Sequence, residues 1–234
     1  MSSRYVGGEL ELFARASHWK RYVGRVLEPF IGARVLEVGA GIGGNISHVA
    51  SCAVREWTSL EPDPEQARRI TERVALGELP PCRVIAGTLD SVGATALFDT
   101  ILYIDVLEHI AEDRAELARA ARHLANAGNL VVLAPAHQFL FSPFDAAIGH
   151  HRRYSAASLA ALAPPDCRLR RSLMLDSAGF FASLANRLLL AAALPTPRQI
   201  AFWDKVLIPI SRVLDRITFH RFGKTVVTVW RRPA

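Results

Sequence analysis

Cysteine is scarce in this chain of 234 residues, and its three cysteines are scattered. Cys52, Cys82 and Cys167 have neither the paired spacing of a disulfide framework nor the spacing of metal ligands. The first residues, Met-Ser-Ser-Arg-Tyr, lack the apolar core of a secretory signal. No apolar run reaches the roughly 18–20 residues that a membrane-spanning helix needs. These absences predict a protein of the reducing cytoplasm.

Acidic residues are also scarce, but only in one part of the chain. Residues 1–172 hold 19 Lys and Arg and 19 Asp and Glu, whereas residues 173–234 hold nine and three. The net charge of +6 therefore lies entirely in the last quarter, where it bears on partners and not on fold. The basic residues are not interleaved with a stacking platform of aromatic residues, which argues against a nucleic-acid partner.

Strand and helix patterns alternate along the chain. A helical pattern covers residues 8–30 and ends at Gly32, and Pro64 suits the first turn of a helix over residues 64–76. This rhythm predicts one α/β domain over residues 1–234, with a parallel sheet and right-handed crossovers. The predicted strands lie at residues 35–38, 54–60, 83–86, 98–104 and 130–133, with further helices from residue 44 and over residues 112–124.

A glycine-rich turn follows the first predicted strand. Residues 35–44 read Val-Leu-Glu-Val-Gly-Ala-Gly-Ile-Gly-Gly, and Glu61 lies 24 residues beyond Glu37. Glycines allow positive φ and a close approach of the backbone to a ligand, and the helix predicted behind the turn would offer free N–H groups. The turn also satisfies a literal G-x-G-x-x-G from Gly39 to Gly44, which leaves a dinucleotide cofactor open.

Glu37 favours S-adenosylmethionine (SAM) over a dinucleotide, because a carboxylate there suits a cationic amino-acid end and would repel a pyrophosphate. At this point the chain resembles the class I SAM-dependent methyltransferases, whose first motif, h-[D/E]-h-G-x-G-x-G, is matched by residues 36–43. A second shared segment, Asp-Val-Leu-Glu-His, lies at residues 105–109. The resemblance implies SAM as cofactor. It also implies a Rossmann-like, doubly wound sheet of seven strands in the order 3-2-1-4-5-7-6, with the last strand antiparallel.

The resemblance further implies which residues hold SAM. Most of them follow the first four strands, at the edge where ligands bind in open α/β sheets. The glycine turn would meet the methionine part, and Glu61 the ribose, while Asp105 would stand behind the sulfonium. Two aromatic residues of an N-terminal helical cap (residues 1–30) would close over the cofactor. The expected set is Trp19, Tyr22, Glu37, Gly39, Ala40, Gly41, Glu61, Pro62, Gly87, Thr88, Leu89, Ile104 and Asp105.

A long loop over residues 137–155 follows the fifth strand, and such loops are uncommon unless they are functional. It ends in a G-H-x-R-R-Y run that bacterial members of the superfamily often carry. An oxygen or nitrogen nucleophile must lose a proton, and a histidine suits that task. We therefore expect His109 and His150 to be catalytic, although each could instead only pack or bond to the backbone. The aromatic residues expected to line the acceptor pocket are Phe139, Phe141, Phe144 and Tyr154.

A metal-dependent alternative rests on the spacing of Asp105, Glu108 and His109, which a helix would place on one face. Some O-methyltransferases and small-RNA 2′-O-methyltransferases carry E-x-x-E-H at this point and bind a divalent metal with it, and His150 would be a further ligand. Asp105 departs from that pattern because it is one methylene shorter than glutamate. We therefore expect no metal, and we keep the metal-dependent RNA enzyme as an alternative, together with a dinucleotide-binding oxidoreductase.

Residues 176–223 form an insert between the sixth strand and a last strand at residues 224–230. The stretch 180–194 is strongly apolar, and residues 200–219 are amphipathic, with a kink expected at Pro209. Three interpretations are open: a helical lid on the core, a homodimer face, and an interfacial helix on anionic membrane or lipid. The last would make the protein peripheral to the inner face of the membrane.

These patterns together predict a SAM-dependent methyltransferase with a small, apolar or lipid-like acceptor. We expect oxygen, ahead of nitrogen or carbon, to be the methylated atom. Glu37, the glycines and Glu61 are intact, which argues against a scaffold that has lost its cofactor. The acceptor itself does not follow from the sequence, because fold and cofactor do not determine substrate.

Overall fold

The computed structural model describes residues 11, 13, 15–50, 52–185 and 196–234. A seven-stranded sheet has the order 3-2-1-4-5-7-6, so the order implied by the resemblance is confirmed. The first five strands are parallel to one another, whereas β7 is antiparallel to both β5 and β6. The strands are β1 (Arg34–Val38), β2 (Glu56–Glu61), β3 (Arg83–Ala86), β4 (Phe98–Ile104), β5 (Leu124–Pro135), β6 (Arg168–Leu175) and β7 (Thr225–Arg231).

Helices cover both faces of the sheet, and each face packs its own cluster of buried apolar side chains. This layering is what a parallel sheet requires, because both of its faces must be shielded from water. The helices are α1 (Ser17–Leu27), α2 (Ile46–Val49), α3 (Pro64–Ala75), α4 (Asp113–Arg122), α5 (Pro143–Ala147), α6 (Ala156–Ala160), α7 (Ser177–Ala185), α8 (Pro197–Phe202) and α9 (Ile208–Ile217).

Three predicted elements differ from the structure. The helix expected over residues 8–30 is interrupted at residues 15 and 16, so that α1 begins only at Ser17. The helix expected behind the glycine turn is only the four-residue α2, because residues 41–45 continue the turn. The strand expected at residues 130–133 is longer, since β5 already begins at Leu124. There the β4–β5 register shifts between Phe98 and Thr100, and Ala127 has a φ of +59°. This irregularity breaks the alternation of apolar and polar residues on which a sequence-based strand prediction depends.

The insert between β6 and β7 contains a helical path that we call the insert helix, residues 197–217. It consists of α8, a π-helical turn (Trp203–Leu207) and α9. The π turn ends just before Pro209, whose ring and missing N–H disfavour regular α-helical bonding, and this accounts for the irregularity expected there. Part of the apolar stretch 180–194 lies outside the described residues. No helix in the described ranges has the length and apolarity needed to cross a membrane.

The insert helix holds the start of α1 through Asp204. The backbone N–H groups of His18 and Trp19 donate to its carboxylate at 3.2 and 2.8 Å. The residue at the N-cap position of α1 is Ala16, which has no side chain that could accept these bonds. Asp204, 185 residues away in sequence, therefore caps the N-terminus of α1.

Asp215, on α9, makes a second buried connection. Its carboxylate accepts the hydroxyl proton of Tyr22 at 2.7 Å and the backbone N–H groups of Asp176 and Ser177 at 2.8 and 2.9 Å. The Ser177 hydroxyl also donates to it. Burial, reinforced by the bond to Asp215, raises the pKa of Tyr22 far above its usual range, so that this hydroxyl stays protonated. The insert, α1 and the end of β6 are thus joined at one carboxylate.

We predict that Asp215→Ala lowers the free energy of unfolding by about 3 kcal/mol, because several buried donors lose their acceptor together. Tyr22→Phe removes only one of these bonds and should cost about 1 kcal/mol. Urea denaturation measures both values. A loss below about 0.5 kcal/mol for Asp215→Ala would contradict the structural role given to this carboxylate.

Candidate functional site

A cavity of about 290 Å³ opens at the carboxyl edge of the sheet. Its walls come from α1, the glycine turn, the end of β4, the loop after β5 and the insert. The side chains of Phe144, Ile148 and Trp203 form an apolar part of its lining, and Lys20, Glu108 and His150 form a polar part. An apolar pocket with a few convergent polar groups is the usual form of a small-molecule site.

The glycine turn forms one wall of this cavity, where Gly39, Gly41 and Gly44 present backbone without a side chain. Gly39 has a φ of +68°, and a Cβ there would stand 2.6 Å from Cγ2 of Val106. Gly41 and Gly43 also have positive φ, at +58° and +73°. Only glycine meets both the backbone conformation and the lack of space at position 39. The turn therefore exposes backbone to whatever occupies the cavity.

Lys20 is a functional candidate that the sequence reasoning missed. Its ammonium lies against Gly44, and it lines the cavity. Its backbone N–H bonds to Ala16, but its ammonium group makes no hydrogen bond or ion pair within the described residues. Burial lowers its pKa, while the nearby Glu37 carboxylate acts in the opposite direction. Only its position between Trp19 and Val23 on α1 could have suggested it, and that signal is weak because surface lysines on helices are common.

The two expected acidic residues lie beneath and beside the turn. Glu37 is buried and accepts hydrogen bonds from Nδ2 of Asn45 at 2.9 Å and Nε1 of Trp57 at 3.3 Å. Burial raises the pKa of Glu37 to about 7. Glu61 accepts the Gly41 N–H at 2.7 Å and a second backbone N–H from Asp63. Both carboxylates stabilise the turn here, and their direct contact with a cofactor stays a prediction.

The other expected cofactor residues divide into two groups. Trp19, Gly39, Ala40, Gly41, Ile104 and Asp105 line the cavity. Tyr22 does not, because its hydroxyl is directed to Asp215. Pro62, Gly87, Thr88 and Leu89 also lie outside the cavity, where β2 and β3 end at the same edge of the sheet. A bare backbone turn beside an unpaired ammonium fits the amino-acid end of SAM, since the ammonium can meet its carboxylate.

Glu108 is buried just beyond the end of β4, and its carboxyl group makes no hydrogen bond within the described residues. The residue is 0% exposed. Leu107–His109 form a single 3₁₀ turn, so the expectation of a helical face shared by Asp105, Glu108 and His109 is wrong. Asp105 instead has a φ of +53°, and its carboxylate is not among the donor atoms that lie within 4.8 Å of one another.

The structure brings the two predicted catalytic histidines next to this carboxylate. The rings of His109 and His150 lie 4.5 Å apart, edge to face. Nε2 of His150 is 3.8 Å from Oε1 of Glu108. Burial, with a contribution from the Asp105 carboxylate, raises the pKa of Glu108 well above its usual range. Burial and the neighbouring His150 lower the pKa of His109 to about 4, so His109 is neutral near pH 7.

Asp145 fixes the orientation of His150. Its carboxylate faces Nδ1 of His150 at 2.9 Å and accepts two bonds from Arg153, at 2.9 and 2.8 Å. Burial acts to raise the pKa of Asp145, but the bonds from His150 and Arg153 prevail and hold it well below its usual range. Since an ionised carboxylate can only accept, Nδ1 carries the proton and Nε2 is directed towards Glu108.

The rest of the loop after β5 is held by similar contacts. Arg152 pairs with Asp113 at 2.8 Å, so both arginines make the kind of ion pair that holds a loop in place. The Tyr154 hydroxyl also donates to Asp113, at 2.9 Å, which directs this ring away from the cavity. Of the four aromatic residues expected at the acceptor, Phe144 lines the cavity, whereas Phe139 is half exposed.

Glu108, His109 and His150 could also meet a metal ion geometrically. Each offers one donor atom, and these atoms lie within 4.8 Å of one another. The set lacks Asp105, on which the metal-dependent alternative partly rested. The expectation that no metal binds stays a prediction.

Comparisons with known proteins agree with this arrangement. A family model described as a methyltransferase domain matches residues 11–164. Ajmaline N-methyltransferase from Rauvolfia serpentina is 26% identical over 193 residues, which are 81% of this chain and 61% of the relative. Demethylmenaquinone methyltransferase from Tropheryma whipplei (strain Twist) is 29% identical over 133 residues, 56% of this chain and 54% of the relative. The chain thus spans less than two thirds of the length of either relative.

Among solved structures, coclaurine N-methyltransferase bound to N-methylheliamine and S-adenosylhomocysteine (SAH) has a similar fold. The two structures align with a TM-score of 0.62 at 14% sequence identity, over 91% of this chain and 72% of the other. At that identity the likeness concerns the fold alone.

We predict that Lys20→Met weakens SAH binding by about tenfold or more, because a charge-assisted hydrogen bond to the carboxylate is lost. Isothermal titration calorimetry measures the affinity. The neighbouring Arg21 is exposed, and Arg21→Met serves as the matched control that should bind SAH as the unchanged protein does. Equal affinity of both variants would show that Lys20 does not hold the cofactor.

A second prediction concerns Glu108 and pH. Since folding raises its pKa above the ordinary 4.5, the folded protein binds this proton more tightly than the unfolded chain. The stabilisation is fully present below about pH 4.5 and is lost as the pH rises through the folded pKa. Glu108→Gln should therefore match the unchanged protein near pH 4 and be more stable near pH 8. Denaturation across this range, with the exposed Glu112→Gln as control, measures the difference; a constant difference would contradict the prediction.

Proposed function

We infer the function from the premise that this chain belongs to the class I SAM-dependent methyltransferases, with SAM as its cofactor. Within that family, we propose that it methylates a small molecule at an amine nitrogen. The bound cofactor would supply a methyl group on a cationic sulfur, already activated for transfer. Family membership leaves the dinucleotide-binding oxidoreductase without support, and no finding favours the metal-dependent RNA enzyme.

The observation that carries the proposal is the buried carboxyl group of Glu108, whose oxygens accept no hydrogen bond from the described residues and whose neighbour, Nε2 of His150, lies 3.8 Å away. Buried polar groups are normally hydrogen-bonded, and leaving both oxygens without donors costs free energy. A group that tolerates this cost inside a ligand cavity is suited to receive donors from the ligand. An amine brings N–H donors, and in its protonated form it also brings a positive charge that a carboxylate would stabilise.

The charge of the cavity lining further favours an amine over a hydroxyl. Asp105 also lines the cavity, so a second carboxyl group besides Glu108 faces the space available to the acceptor. Methylation of a neutral amine creates a positive charge on nitrogen, which these groups stabilise electrostatically. The acceptor must first lose a proton, and Nε2 of His150, held in place by Asp145, or the neutral His109 can accept it.

The remaining residues would position the two reactants. Lys20 and the backbone of the glycine turn would hold the amino-acid end of the cofactor, below Trp19. Phe144, Ile148 and Trp203 would pack against an apolar acceptor body and exclude water. Because the transferred group is activated by the cofactor, alignment of nucleophile and methyl group is the main contribution of the protein.

One curated relative supports nitrogen. Ajmaline N-methyltransferase, by its name, methylates a nitrogen, and it aligns with four fifths of this chain. A hydroxyl is the second candidate and was the expectation from sequence. It is favoured by the neutral His109, which could take a hydroxyl proton directly. Both candidates share the small, apolar acceptor body expected from the sequence.

The decisive experiment compares matched amines and alcohols with the same apolar bodies as acceptors, with labelled SAM and identification of the products by mass spectrometry. We predict methylated amines, and we expect Glu108→Gln to lower kcat about 100-fold while SAH affinity stays unchanged. Glu112→Gln, which changes an exposed carboxylate nearby, should retain full activity. Methylation of alcohols alone would replace the amine proposal by the second candidate, and an active Glu108→Gln would remove Glu108 from the site.

A further inference from the structure

The outward face of the insert helix carries a row of apolar side chains that nothing in the described part of the chain covers. Phe202, Val206, Ile210, Val213 and Ile217 are between 42% and 65% exposed. Successive members lie three or four residues apart, so they form one stripe along the helix. We call it the apolar stripe. A continuous exposed stripe of this kind indicates a surface with a partner, because single exposed apolar residues are common but aligned ones are not.

The rest of the insert adds to this exposure. Phe181, on α7, is 60% exposed, and Phe219, just beyond α9, is 78% exposed. With the stripe, these account for seven of the eleven exposed large apolar side chains among the residues that the structure describes. The exposed apolar surface is therefore concentrated in one segment and is not spread over the molecule.

The charge of the same segment is entirely positive on the outside. Residues 173–234 contain three acidic side chains, Asp176, Asp204 and Asp215, and these are 0%, 3% and 0% exposed. Each is used internally, as a cap or as an acceptor for buried donors. Arginine and lysine side chains, in contrast, stand along one border of the stripe. They are Arg198, Lys205, Arg212 and Arg216.

We propose that this face docks the protein on a bilayer surface that contains anionic lipids. An interfacial helix buries an apolar face among the acyl chains near the headgroups, while basic side chains along its border meet lipid phosphates. The apolar stripe and its cationic border match both requirements. Docking is peripheral, because no helix in the described ranges could cross the bilayer.

A second copy of the chain is a poorer occupant for this face. Two copies joined through the same stripe would bring cationic borders close together, and no acidic side chain of the insert is exposed to pair with them. An anionic lipid surface has no such conflict, because it neutralises the border and covers the stripe at once.

Vesicle flotation of the full chain tests the proposal. We expect binding to vesicles in which about a third of the lipid is phosphatidylglycerol, and weak binding to phosphatidylcholine alone. Raising the salt from about 0.1 to 1 M shortens the Debye length from about 10 to 3 Å and should release most of the bound protein. Equal binding to both kinds of vesicle, or to neither, would overturn the proposal.

Matched variants locate the contact. Val213→Ser with Ile217→Ser should weaken vesicle binding about tenfold or more, and Arg212→Gln with Arg216→Gln should remove most of its salt dependence. Leu76→Ser, at a site 73% exposed on another surface, is the apolar control and should bind normally. Retained SAH affinity shows that each variant is folded. Equal flotation of the stripe variant and the control would place the contact elsewhere and contradict the proposal.

Two further measurements separate the remaining outcomes. Ile210→Trp should strengthen vesicle binding, because tryptophan favours the membrane interface. This gain of binding could not result from misfolding of the variant. Analytical ultracentrifugation should give a monomer without lipid. A dimer that Val213→Ser with Ile217→Ser converts to monomers would identify the stripe as a subunit interface and overturn the lipid proposal.

Discussion

The arrangement of the cavity depends on three buried carboxylates in the chain beyond β6. Asp204 caps α1, and Asp215 joins Tyr22 of the same helix to the start of α7. Asp176 accepts bonds from Trp203 and Ser211 of the insert helix, and Lys224 lies 3.4 Å from it. Removing a carboxylate from water is costly unless its oxygens meet donors, and here each of them meets several. Because α1 carries Trp19 and Lys20, the same bonds that secure the insert also set one wall of the cavity.

The loop after β5 is built on the same principle on the other side of the cavity. Asp145 is fully buried and collects donors from Ser142, His150 and Arg153, so a long loop acquires one fixed conformation. Glu108 is the contrasting case, since it is equally buried but has no donor. Asp145 therefore has a structural role, whereas the carboxyl group of Glu108 is available to a ligand. Burial of Glu108 without hydrogen-bond donors costs free energy, and nothing in the described part of the fold offsets it. An acceptor that brings N–H groups would supply the missing hydrogen bonds.

Local patterns made the sheet and its glycine turn predictable from sequence, while the catalytic role of the two histidines stays a prediction. The apolar strands, the glycines at 39–44 and the Asp-Val-Leu-Glu-His segment are short-range signals, and the class I resemblance supplied the strand order. The contribution of Lys20 and the cap by Asp204 were not predictable, because each depends on a contact between distant segments that no periodicity records. The prediction of a helical face at residues 105–109 was wrong for a related reason. The spacing i, i+3, i+4 has meaning only on an α-helix, and this segment forms a 3₁₀ turn after a residue with positive φ.

Four consecutive side chains of the insert helix have three different roles. Trp203 faces the cavity, Asp204 caps α1, and Lys205 and Val206 face outward. The π turn at Trp203–Leu207 makes this division possible, because it rotates successive residues by less than a regular helix would. The inward use of every acidic side chain is also what leaves the outer surface of the insert cationic. The same inward placement of Asp176, Asp204 and Asp215 therefore forms the cavity wall and leaves the outer surface of the insert without exposed acidic side chains.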